Sequence, residues 1–135
     1  MQLFAINYVY SNMFSLDREN RKDRGMNMNK IRAIRQEPVC EPEIIEIEND
    51  LKPLQEAVGG YIQVVPLGTG KVCVICDEEG RLKKKPFNCV CGPVDFVGTI
   101  LVVGTDIDDF ADVPISIDSW KCYLWLSENC PEVLR

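Results

Sequence analysis

Beyond residue 30 the chain alternates between short apolar runs and residues that end them. Residues 31–35, Ile-Arg-Ala-Ile-Arg, form a short strand that Pro38 and Pro42 stop. Residues 43–48, Glu-Ile-Ile-Glu-Ile-Glu, alternate as a half-buried strand does. Leu51, Leu54, Gln55 and Val58 then fall at helical spacing, behind Asn49 or Asp50 as N-cap. Pro53 lies in the first turn, where its missing N–H costs no intrahelical bond, and Gly59-Gly60 ends the helix. The pattern therefore predicts a helix over about residues 50–59.

Residues 61–65 and 71–76 are β-rich runs separated by Pro66 and the Gly68-Thr69-Gly70 turn. Residues 77–80 read as a hairpin turn whose return limb begins at Arg81-Leu82. An irregular loop is expected over residues 83–95, which contain Pro86, Gly92 and Pro93. Residues 96–103 are the most apolar run and read as one continuous central strand buried on both faces. An acidic connection follows over residues 104–114. Ser116 caps a final helix over about residues 116–126, in which Trp120, Tyr123 and Leu124 share a face. Trp125 lies about 140° from Trp120 at about 100° per residue, so both cannot centre one apolar stripe.

This order predicts an α+β fold: a single mixed sheet of about five strands with both helices packed on one face. If strands 43–48 and 61–65 pair in parallel, a right-handed crossover joins them. Residues 1–16 are apolar and aromatic without a clear period, and residues 17–24 carry seven charges in eight positions. Residues 1–29 thus read as a poorly ordered or loosely packed N-terminal extension, and residues 30–135 as a single domain.

Composition narrows the chemistry. The chain has 135 residues, no His and a formal net charge of −6. Without His, Ser-His and Cys-His nucleophile pairs are impossible, and the commonest general base near neutral pH is missing. The acidic balance opposes sequence-independent binding along a nucleic-acid backbone. Seven cysteines is an odd number, and no secretory leader precedes them, so free thiols in a reducing cytosol are expected. No apolar run approaches a membrane span.

The segments Asp50-Leu51-Lys52-Pro53-Leu54-Gln55-Glu56-Ala57-Val58-Gly59-Gly60-Tyr61-Ile62-Gln63-Val64-Val65-Pro66-Leu67, Cys76-Asp77-Glu78-Glu79-Gly80-Arg81-Leu82, Pro86-Phe87-Asn88 and Phe96-Val97-Gly98-Thr99-Ile100-Leu101-Val102-Val103-Gly104 give the chain a resemblance. It resembles the family called domain of unknown function 3846, found in phages and bacterial mobile elements, over about residues 30–120. The resemblance implies a small cytosolic accessory protein and no reaction. Residues 1–30 lie outside it, and Cys-Val-Cys-Gly follows Asn88 where the family tends to place a basic residue.

Three clusters are candidate sites. Cys73, Cys76, Cys89 and Cys91 have a spacing that tetrahedral zinc can use, but Cys73 and Cys76 on one strand point to opposite faces, and cysteine commonly fills cores. Arg81, Lys83, Lys84, Lys85, Phe87 and Asn88 could grip phosphates and stack a base, or simply be a solvated limb. Asp106, Asp108, Asp109 and Asp112 read as a solvated loop, a weak cation site or a mimic of phosphate charge. Gly68-x-Gly70 lies between strands and makes no phosphate loop.

The expectation is a non-enzymatic interaction module that needs no cofactor and binds a host or mobile-element protein. The alternative is a nucleic-acid-linked role, through residues 81–85 or as an acidic decoy.

Overall fold

The computed structural model describes residues 29–68, 70–130 and 132, and the expected N-terminal extension lies almost wholly outside them. Charge patterning sets the first pairing. β1 (Lys30–Gln36) and β2 (Glu43–Glu48) run antiparallel with Lys30 opposite Glu48, Arg32 opposite Glu46 and Arg35 opposite Glu43. Opposite charges across such a ladder stabilise it, and a one-residue slip would set charges against isoleucines.

α1 (Leu51–Val58) begins at Asp50, whose carboxylate accepts from Leu51 N–H at 2.8 Å. It ends at Gly59, whose φ of 82° is the left-handed conformation glycine adopts without a Cβ penalty. Next come β3 (Ile62–Leu67), β4 (Val72–Asp77), β5 (Phe87–Cys91), β6 (Val94–Val97), β7 (Ile100–Asp106), β8 (Asp109–Ala111) and α2 (Ile117–Asn129). Ser116 caps α2, its hydroxyl accepting from Ser119 N–H at 3.1 Å.

The main sheet has the order β2-β1-β7-β4-β3, with β8 added to β7, and β5-β6 form a separate two-stranded sheet. The α+β class and the five-strand path agree with the sequence pattern. Every pairing, however, is antiparallel, where a mixed sheet is expected. β2 and β3 do point the same way, but they lie on opposite edges with β1, β7 and β4 between them, so α1 joins strands that never pair.

The helices also lie on opposite faces rather than one. Along β4 and β7, Cys73, Ile75, Leu101 and Val103 pack with Leu54 and Val58 of α1, while Val74, Cys76, Ile100 and Val102 pack with Trp120 of α2. Strands apolar at every position need a cover on each face.

Two local readings change for related reasons. The run 96–103 is not continuous: β6 ends at Val97, Gly98 turns with φ 72°, and β7 starts at Ile100. Residues 83–95 are not wholly irregular, because Cys89 and Cys91 of β5 and Phe96 of β6 are buried beside Trp120. The limb expected at Arg81-Leu82 is a series of turns, since both sides of β4 are taken by β3 and β7.

A buried polar relay fastens α2 to the sheet. Trp120 Nε1–H donates to Gln36 Oε1 at 2.8 Å, and Gln36 Nε2 donates to Asn88 Oδ1 at 3.1 Å. Asn88 Nδ2 in turn donates to Gln36 O at 2.8 Å and Gly98 O at 2.7 Å. Replacing Trp120 by Phe strands Gln36 Oε1 and is expected to lower unfolding free energy by about 1–3 kcal/mol in urea denaturation. An unchanged midpoint would show that the relay is unimportant.

Candidate functional site

Most of the charged candidates serve the fold. Asp77 ends β4 with its side chain 1% exposed, yet it is held by Lys83 Nζ at 2.9 Å and Lys85 Nζ at 2.7 Å. Its Oδ1 also accepts from Glu79 N–H at 2.9 Å. Both lysines reach on to the end of α1, where Lys85 donates to Val58 O at 2.8 Å and Lys83 to Gly59 O at 3.0 Å. These carbonyls lack intrahelical donors, and a cation suits the negative end of the helix dipole. Gly60 leaves room for the cluster: a Cβ there would overlap Asp77 Oδ1 and sit 2.6 Å from Lys83 Nζ.

Burial pushes the Asp77 carboxyl up, but hydrogen bonds from Lys85, Lys83 and the Glu79 N–H outweigh it and hold the group below its ordinary value.

The remaining basic candidates are divided. Arg81 Nη2 donates to Asp95 O at 2.7 Å, Lys84 is exposed with φ 56°, Phe87 is exposed, and Asn88 belongs to the buried relay. The structure thus breaks the stretch 81–88 into structural and exposed members. Nothing in the local sequence marks Asp77 as the partner, beyond a carboxylate placed directly after an apolar run.

Asp106, Asp108 and Asp109 lie in the β7–β8 hairpin, and Asp112 follows it. Asp106 Oδ1 accepts from Ile107 N–H at 2.8 Å, and Asp109 Oδ1 accepts from Phe110 N–H and Asn49 Nδ2, each at 2.7 Å. Asp112 Oδ1 accepts from Arg32 N–H at 2.8 Å, which docks the chain after β8 against β1, while Asp108 is exposed in the turn.

The cysteines do not gather. Cys73 packs on the α1 face, and Cys76, Cys89 and Cys91 on the α2 face. Among the described residues no group of three or more Cys, Asp or Glu is arranged to hold a metal ion. Burial pushes all four thiols up to about 12, with Asp77 adding to the effect on Cys76, Glu128 to that on Cys89 and Cys89 to that on Cys91. Protonated, enclosed thiols are poor nucleophiles.

What stays available is an edge. Glu78 N–H donates to Tyr61 O at 2.8 Å, and the pleat carries that orientation to Gln63, Val65 and Leu67, which exchange bonds with β4. The N–H and C=O groups of Ile62 and Val64 therefore point away from β4. Pro66 stands where its missing N–H would face outward. Among the described residues β3 has no second strand neighbour, and its sequence Ile-Gln-Val-Val-Pro-Leu carries no charge. Two cavities on the α2 face run beside it. One of about 300 Å³ is lined by Leu67, Val72, Ile115, Trp120 and Tyr123, with Lys71 at its border. The other, of about 230 Å³, includes Gln63, Val65 and Phe96.

Asp77→Asn is expected to cost about 1.5–3 kcal/mol at neutral pH, as lost charge-assisted hydrogen bonds do. Because the folded pKa lies below the unfolded one, this contribution is complete above about pH 4 and disappears as pH falls through the folded value. Denaturation of both proteins across pH should show their stabilities converging in acid; a constant gap down to pH 2 would refute the assignment. Native protein should react with a thiol reagent rapidly at exposed Cys40 and Cys122, while Cys73, Cys76, Cys89 and Cys91 react only on unfolding. Prompt labelling of any of these four, read by mass spectrometry, would contradict their burial.

Among the described residues no helix is long and apolar enough to cross a membrane. No curated protein and no solved structure matches the chain. The family model described as domain of unknown function (DUF3846) matches residues 31–123, a span that holds Asp77, its lysines and all of the main sheet except Lys30. The chain belongs to the DUF3846 family.

Proposed function

We propose that this domain is a non-enzymatic protein-interaction module that receives an extended chain segment along β3. The observation that carries the reading is the uncharged edge of β3, which has no second strand neighbour among the described residues and turns N–H and C=O groups of Ile62 and Val64 outward. An added strand gains main-chain hydrogen bonds from such an edge, and alternate side chains enter the cavities beside Val65 and Leu67. The setting proposed with it, from the family resemblance, is that of a phage or mobile-element accessory protein acting on a host or element protein in the bacterial cytoplasm.

The nucleic-acid reading has less behind it. Lys83 and Lys85 are engaged by Asp77, so the stretch 81–85 presents less cationic surface than its sequence promises. The acidic decoy is weakened in the same way, because Asp106, Asp109 and Asp112 accept hydrogen bonds within the fold.

Peptides selected from a random display library against the purified chain test the proposal. They are expected to alternate apolar and polar residues, and on binding to slow amide exchange at Ile62 and Val64. A library that yields no binders, or binders that leave those two amides unchanged, would overturn it.

A further inference from the structure

We infer that β3 pairs with β3 of a second copy of this chain, antiparallel about a two-fold axis, so that two main sheets become one. This rests on the reading of β3 as a binding edge and names its occupant.

One register pairs every outward group of Ile62 and Val64. Setting Ile62 opposite Val64 of the second copy, and the reverse, lets the outward N–H and C=O groups of both residues exchange hydrogen bonds, four in all. In the same register Pro66 meets Gly60 of the second copy. Pro66 has no N–H to offer, and Gly60 N–H already donates to Gln55 O at 3.0 Å, so neither position loses a donor.

Side chains agree with the axis. It passes between the two Gln63 residues, which form a close non-hydrogen-bonded pair in which two neutral amides can bond to each other. The opposite edge cannot do this, since self-pairing of β2 would bring Glu43, Glu46 and Glu48 against one another. β2 is guarded by charge and β3 is not.

Charge opposes neither direction: exposed Lys71 lies beyond the Leu67 end, and the Tyr61 end carries both signs, with Glu78 and Glu79 beside Arg81, Lys83 and Lys52. The antiparallel choice rests on the backbone exchange between Ile62 and Val64.

Sedimentation velocity of the full chain over a range of concentrations should show a monomer–dimer equilibrium. Gln63→Glu and Gln63→Lys should each weaken it at least about tenfold, and an equimolar mixture of the two should restore it. Amide exchange at Ile62 and Val64 in the unaltered chain should slow as concentration rises, a readout that needs no variant. A chain that dimerises indifferently to both substitutions overturns the assignment. A monomer that still binds selected peptides along β3 overturns the self-pairing alone, and a monomer that binds none overturns the binding edge as well.

Discussion

β4 and β7 are apolar on both faces, and covering both is the constraint that places the other elements. Their alternating side chains divide one core into two, one under α1 and one under α2 with the β5–β6 hairpin. A chain that left either face bare would expose a run of valines, isoleucines and leucines to water, at roughly 25 cal/mol for each Å². The α1 crossover supplies one of these covers, and the separate small sheet joins α2 in supplying the other.

Within this frame the ionisable groups are drawn inward. Asp77 costs desolvation at the end of a central strand, and two ammonium groups and an N–H offset it while capping α1. The cluster ties α1, β4 and the turns after β4 to one point. The relay of Trp120, Gln36 and Asn88 does the same for α2, β1 and β5. Polar side chains that look like a surface for ligands in the linear chain are thus largely internal fasteners.

That inward use of charge bears on how the surface can act. Of the two sheet edges, β2 carries three glutamates, and β3 carries no charge and one proline. An edge with only Pro66 to discourage pairing, flanked by a largely apolar cavity at Leu67 and a more polar one at Gln63 that includes Glu78, Arg81 and Asp95, is suited to receive a strand. The same main-chain logic that builds the sheet then accounts for what it binds.

The helices, their caps, and the strands at 43–48, 61–65 and 71–76 were legible in the sequence, because each depends on residues close in the chain: Asp50 and Gly59 for α1, Ser116 for α2, alternation for β2. The division of Cys73 from Cys76 followed from the strand period alone. Complementary charges on residues 30–35 and 43–48 also held the β1–β2 register, in a form that becomes plain only once the strands face each other. Which strands are neighbours was not legible, since an all-apolar strand such as β7 accepts several partners equally and its place is decided by the cover each face receives. The same holds for Asp77 with Lys83 and Lys85, for Trp120 with Gln36, and for the edge of β3, which has one strand neighbour among the described residues. A side chain's partner across the sheet, or a backbone group's lack of one, is a property of the folded arrangement, and local sequence carries no term for it.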